Sequence, residues 1–255
     1  MLSGRPWKVD AVIRLMIGLM LGWLAALLIT GAIGKTPAGK PLFADRLVQF
    51  TINTFSFHLI VLVLVHFFLR HHQVSWRQLF GLNQFRFRMA VLALGVIVIV
   101  LPVALWLNSF SAALLTRLHM QPVEQAAMQA LELSITLGQK IVFGISVIVV
   151  APIVEESMFR GIFYPSMKQE GYPRAALFGS SLLFAMIHGN LMSFVPLFGL
   201  GLVFVFLFEV TDTLLTSIIA HSSFNAANFI IYLNRETLNG WWEEAWHHIR
   251  GVLPF

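Results

Sequence analysis

Residues 89–107, MAVLALGVIVIVLPVALWL, carry no charged side chain. A helix needs ~20 mainly apolar residues to cross ~30 Å of hydrocarbon, and this stretch supplies them in one run. Upstream, runs of the same kind occupy Leu15–Gly34 and Leu47–Leu69. Downstream they extend from Lys140 through Pro152 to Pro165, from Arg174 past His188, from Phe194 to Phe208, and from Thr213 to Leu233. The pattern predicts an all-α, polytopic transmembrane helical bundle of about seven membrane helices, with interfacial helices beside them. The first run is too long for a signal-peptide core and no small-residue cleavage site follows it, so it reads as a retained helix. Pro102 is expected to kink the third run. Pro122–Leu133 is amphipathic and expected at the interface.

Composition agrees. Of 255 residues, 58% are hydrophobic and 11% charged, and the mean hydropathy is +0.79. A soluble domain carries about 25% charged residues, so the apolar excess must face lipid. The net charge is +5, but the Lys and Arg residues lie between apolar runs, where they set topology. No basic helix suits DNA or RNA, so nucleic acid is excluded as a partner and the lipid bilayer takes its place. With no cysteine, disulfide and thiol chemistry are excluded. Arg5, Lys8, Arg14, Arg70, Arg77, Arg86, Arg88, Arg160, Lys168 and Arg174 fall on one side. They outnumber Lys35, Lys40, Arg46, Arg117, Lys140, Arg235 and Arg250 on the other, which predicts an N-terminus inside and a C-terminus outside. The compact length suits a multi-pass protein of a bacterial inner membrane. Residues 1–139 read as N-terminal membrane helices with the interfacial segment, 140–233 as a helical core, and 234–255 as a tail. In that tail Trp241, Trp242 and Trp246 beside Glu243 and Glu244 suit an interfacial anchor.

Ionisable groups inside membrane helices cost at least ~2.5 kcal/mol near the helix centre on insertion scales, so each asks for a partner and a reason. Three segments carry them. In Glu155-Glu156-Ser157-Met158-Phe159-Arg160, Glu156 and Arg160 are four apart and share a helix face. Glu155 is rotated ~100° from its neighbour and points elsewhere. The second segment is Phe184-Ala185-Met186-Ile187-His188. In the third, His221-Ser222-Ser223-Phe224-Asn225, His221 and Asn225 face the same way. Each has a bland reading: an interfacial ion-pair cluster, a histidine bonded to a backbone carbonyl, a polar seam between helices. Depth ties them together. Glu155 lies ~15 Å below Pro165, His188 ~21 Å below Arg174, His221 ~14 Å and Asn225 ~20 Å below Asp212. Four polar residues from three helices fall in one slab.

A carboxylate, two imidazoles and an amide at one depth make a hydrolytic kit. Desolvation makes a carboxylate a stronger base near neutral pH, so Glu155 could take a proton from water and return it to a leaving amine. His188 could orient that water or share the base role. His221 and Asn225 could donate to a developing oxyanion. In a metal variant, Glu155, His188 and His221 would bind zinc with water as fourth ligand. No H-E-x-x-H occurs, and nothing in the spacing demands a metal, so the metal-free version is preferred.

These segments resemble the CPBP family, which includes the type 2 CAAX prenyl endopeptidases and bacterial Abi proteins. Its pattern of EExxxR, FxxxH and HxxxN on successive helices is met by Glu155, Glu156 and Arg160, by Phe184 and His188, and by His221 and Asn225. Gly199-Leu200-Gly201 through Thr211 and Leu214 is similar to the family's Gly-rich helix. The resemblance covers about residues 140–233. It implies an intramembrane endopeptidase acting on a membrane-associated peptide or protein, prenylated and CAAX-type in the eukaryotic members. In that reading Glu155 and His188 work on a water and His221 with Asn225 forms the oxyanion site. The question of zinc is inherited with the family.

Other polar residues are not assigned to the site. His58 and His66 are ~80° off a shared face and read as helix-seam residues. His71 and His72 serve topology, and His247 and His248 surface roles. Glu209 and Asp212 are expected near a cavity mouth. The rival functions are a transporter, which would show inverted repeats, and a non-catalytic immunity or scaffold protein that has kept the motif.

Overall fold

A computed structural model describes residues 4–238 and 240 of the chain. Among these residues every regular element is helical, as hydrocarbon demands, because only a helix satisfies its main chain within one segment. Six helices are long and apolar enough to cross a membrane. They are α1 (Val9–Lys35), α3 (Arg46–His71), α5 (Phe87–Arg117), the composite helix Leu137–Gln169, α11 (Leu191–Thr211) and α12 (Leu214–Leu233). The chain is thus an integral, multi-pass membrane protein. Short helices α2 (Gly39–Phe43), α4 (Trp76–Phe80) and α6 (Ala126–Glu132) lie between them. The residues expected to anchor the tail, Trp241, Trp242, Trp246, Glu243 and Glu244, lie outside the described residues, as do His247, His248 and Arg250.

Local chemistry sets several starts. Asp45 caps α3 by accepting from the Leu47 and Val48 amides at 2.8 and 3.3 Å. Ser75 with Gln78, and Thr136 with Gln139, form capping boxes that satisfy amides left over at a helix start. α5 continues through Pro102, and the segment expected at the interface contains α6.

Two features exceed the sequence expectation. The fourth run is one helix of 33 residues, built as α7 (Leu137–Ile145), α8 (Ala151–Glu156) and α9 (Tyr164–Gln169) with π-helical turns at Ser146–Val150 and Ser157–Phe163. A π turn adds a residue to the helical ladder and recurs at functional sites. Here the two turns bracket the six residues that carry both glutamates. The fifth run is short. α10 (Pro173–Ile187) has 15 residues and rises only ~22 Å. His188 caps it, and Gly189 then takes φ +58°, a left-handed conformation that glycine enters without strain. Asn190 restarts the chain by accepting from the Ser193 amide at 2.9 Å. α10 alone is therefore too short for a full crossing, whereas α11, with 21 residues, rises ~31 Å.

The two ends of the bundle are distinct. At one end the Arg5 guanidinium donates to the Gln78 and Leu79 carbonyls, Trp7 Nε1 donates to the Ile162 carbonyl at 3.3 Å, and Thr213 donates to the Phe80 carbonyl at 2.8 Å. Burial and Asp212 act oppositely on Arg5, and burial prevails, lowering its pKa from the usual value. The other end carries the 118–136 connection and the Arg235–Glu132 ion pair at 2.9 Å. The larger of two apolar clusters runs from Trp7 to Ala220 and the smaller joins Leu47, Ala130, Leu131 and Phe143, so helices from both sides of residue 139 pack together.

The closest approach that shapes this core is between α10 and α11. A Cβ built on Gly201 would lie 2.8 Å from Ser181 Cβ and 2.9 Å from its Cα, too close unless the helices part. Gly199 meets nothing within 4 Å. Gly201→Ala is therefore expected to destabilise the protein by ~1–3 kcal/mol through overpacking, with Gly199→Ala near neutral. Thermal unfolding in detergent, followed by tryptophan fluorescence, measures the difference.

Candidate active site

The adjacent glutamates of α8 part company as a helix requires. Glu156 is fully buried. Its Oε1 accepts from Arg160 Nη1 at 2.9 Å and lies 3.0 Å from His221 Nδ1. Arg160, also fully buried, extends Nη2 to the Gly201 carbonyl on α11 at 3.0 Å. Its guanidinium carbon stands 4.5 Å from the Phe184 ring centre and 5.3 Å from that of Phe204, so aromatic faces supply part of the cation's solvation. One ion pair thereby joins the composite helix to α10, α11 and α12.

Glu155 faces the other way. Its Oε2 lies 3.9 Å from His221 Nε2 and 4.0 Å from His188 Nε2. Neither gap is a hydrogen bond. Oε2 is buried and has no hydrogen-bond partner, in an environment where an unpaired polar atom is costly. A single water held at ~2.8 Å from each partner spans gaps of ~4 Å.

The imidazoles are oriented from behind. A carbonyl only accepts, so the 2.7 Å contact between His188 Nδ1 and the Phe184 carbonyl places a proton on Nδ1. In the neutral ring Nε2 then presents its lone pair toward Glu155. His221 is held alike, with Nδ1 on the Glu156 carboxylate and its ring stacked on Phe204 at 4.8 Å. The Phe184 ring lies 5.0 Å from His188 and 5.6 Å from His221. Phe184 thus contributes its carbonyl to one histidine and its ring to both.

Asn225 is placed differently from the pairing with His221 that their shared face suggested. Its Nδ2 donates to the Val147 carbonyl in the first π turn at 2.8 Å. One N–H thus ties α12 to the composite helix, while an amide carries two. Phe204, the Gly201 carbonyl and the Val147 carbonyl also belong to the site. Nothing in the sequence marked them for these contacts, because each depends on how two helices rotate against one another. The residues left out of the site lie elsewhere. His58 is buried in α3 beside Phe57, and His66 accepts from Trp76 at 3.2 Å. Glu209 accepts from the Tyr164 hydroxyl and from Lys168.

Both separations from Glu155 to the other candidate zinc donors are wider than a zinc tetrahedron. Bonds of ~2.0–2.2 Å in a tetrahedron put donors ~3.4 Å apart, against the 3.9 and 4.0 Å found. Among the described residues no group of three His, Cys, Asp or Glu side chains is arranged to hold a metal ion.

Fold and site together define a multi-pass membrane protein with a carboxylate–imidazole cluster buried among its helices. Residues 137–227 match the family model described as type II CAAX prenyl endopeptidase Rce1-like. The matched stretch, from α7 into α12, contains all three motifs, and the match supports the resemblance to the CPBP family of CAAX-type proteases. No curated protein and no solved structure matches the chain.

Breaking a buried ion pair by removing one partner costs ~3–5 kcal/mol, whereas replacing both partners is often neutral. Glu156→Gln alone is expected to lower stability by about that amount. Glu156→Gln combined with Arg160→Met is expected to recover more than half, because the amide still accepts from His221. Unfolding of the two variants and wild type under one condition checks the order.

Proposed function

We propose that this protein is an intramembrane endopeptidase that hydrolyses a peptide bond of a membrane-associated peptide or protein by a glutamate-activated water. One observation carries the reading. The Glu155 Oε2 is buried, unpaired and within water-bridging distance of two imidazole nitrogens from two other helices.

A water between Glu155 and the two Nε2 atoms gives one proton to the carboxylate as its oxygen attacks the peptide carbonyl. The new C–O bond leaves the carbonyl oxygen as an oxyanion. The second N–H of Asn225 is the donor offered to it, and His221 joins it through Nε2–H when its ring carries a proton on both nitrogens. Glu155 then returns its proton to the leaving nitrogen as the C–N bond breaks, and an Nε2 lone pair accepts the remaining water proton. His188 and His221 keep their roles because Phe184 and Glu156 hold the opposite ring nitrogens. Glu156, Arg160 and Phe184 act through these groups. No cofactor takes part, and zinc is the alternative that the donor spacing disfavours. The family suggests a prenylated CAAX-type substrate, and the compact bundle suits a bacterial inner membrane.

The test is cleavage of prenylated and unprenylated peptides by purified protein in lipid vesicles. A positioned general base contributes ~10²–10⁴-fold, so Glu155→Gln and His188→Ala should each lose at least a hundredfold in kcat/KM while a chelator changes nothing. Equal cleavage by all three proteins would end the assignment. Loss on chelation, restored by zinc, would replace the metal-free mechanism.

A further inference from the structure

The composite helix lacks two main-chain donors, at Pro152 and Pro165, and both lie where a π turn ends. In the first π turn, Ser146–Val150, the Ala151 amide bonds to the Ser146 carbonyl, five residues back. The Val147 carbonyl is thereby passed over. In α-helical spacing its donor is the Ala151 amide, which is already taken. In π-helical spacing its donor is residue 152, and a proline has no N–H. A side chain from another helix meets the carbonyl instead, as Asn225 Nδ2 of α12 donates to it at 2.8 Å. The second π turn ends in the same order. There the Tyr164 amide bonds to the Phe159 carbonyl and Pro165 follows, but both asparagines of α12 bond elsewhere, to Val147 and Phe224.

The two helices stand close enough for this bond. About one turn before Val147, a Cβ on Gly144 would lie 3.3 Å from Phe229 Cζ of α12. The bond also settles which way the amide faces. Turned over, an amide side chain exchanges a donor for an acceptor. A carbonyl only accepts, so the Val147 oxygen fixes Nδ2 toward the composite helix. The second N–H stands on that same nitrogen, and Asn225 lies ~6 Å along α12 from His221, on the same face. With the amide reversed, Oδ1 would take that place and present an acceptor to a developing anion.

We infer that Pro152 is a positioning residue for hydrolysis. By withholding the N–H that would bond to the Val147 carbonyl, it leaves that oxygen to hold the Asn225 amide with a donor toward the oxyanion. The part played in hydrolysis rests on the protease reading. The reservation of the carbonyl for Asn225 does not. Pro152→Ala returns an N–H to the ladder, so the Val147 carbonyl gains a main-chain donor in either spacing and no longer selects one face of the amide.

Two double-mutant cycles test this, one on stability and one on cleavage. In thermal unfolding, Asn225→Ala leaves the Val147 carbonyl without a donor and should lower Tm by ~3 °C or more. In the Pro152→Ala background the same change should lower Tm less than half as much. Equal drops overturn the reserved carbonyl. Cleavage is measured on prenylated and unprenylated CAAX-type peptides in lipid vesicles. Removing an oxyanion donor outright costs ~10²–10³-fold, so loosening one by Pro152→Ala should lower kcat about tenfold. KM should stay within about twofold, because the bound peptide carries no anion before attack. Pro165→Ala, which returns an N–H to the second π turn, should keep kcat within about twofold of wild type. In the Asn225→Ala background, Pro152→Ala should change kcat by less than about twofold. An unchanged kcat in Pro152→Ala, an equal loss in Pro165→Ala, or a loss that persists undiminished without Asn225 overturns the positioning role. Pro152→Ser also carries an N–H and serves as the second variant. Failure of both Pro152 variants to fold overturns the inference too, since a helix should accept the N–H. Coupling in Tm, with a wild-type protein that cleaves neither peptide, would count against the protease reading and leave the reserved carbonyl standing.

Discussion

The arrangement depends on a guanidinium that has no water. Arg160 is fully buried among apolar helices, and an unpaired cation there would cost several kcal/mol. It is tolerated because Glu156, the Gly201 carbonyl and the rings of Phe184 and Phe204 surround it. Those four partners sit on three helices, and His221 on a fourth shares the Glu156 oxygen. Once the charge is satisfied, the rotation and height of each helix about it are set. Arg160 Nε and Glu156 Oε2 are buried without a hydrogen-bond partner among the described residues, so the aromatic faces of Phe184 and Phe204 carry part of the charge's solvation.

That constraint divides the labour of the two glutamates. Glu156 is committed to Arg160 and His221. Glu155, one residue earlier, must project ~100° away and finds two imidazole nitrogens beyond direct bonding distance. The π turns on either side of α8 contribute to this placement, because each adds a residue to the ladder and rotates the downstream part of the helix. Val147 in the first offers its carbonyl to Asn225, and Arg160 in the second reaches Glu156. The composite helix thus meets α12 at two heights, through Val147 with Asn225 and through Glu156 with His221.

Helix ends matter as much as helix faces. α10 stops at His188 because Gly189 turns into the left-handed region and Asn190 caps the next helix. The histidine therefore lies at a helix terminus, where its ring can turn toward Glu155 while Nδ1 bonds to the last turn of its own helix.

The sequence by itself determined the membrane helices, because long uncharged runs in lipid can satisfy their main chain only as helices. It also determined that Glu156 faces Arg160 while Glu155 does not, and that Glu155, His188, His221 and Asn225 lie in one slab, since periodicity and rise per residue are properties of a single helix. Only the tertiary structure decided that α10 ends at Ile187, short of a full crossing, that π turns bracket α8, that Arg160 reaches Gly201, that His221 stacks on Phe204, and that Asn225 bonds to Val147. Those outcomes depend on the rotation and distance between helices, which packing and the buried charge set together and no local pattern encodes.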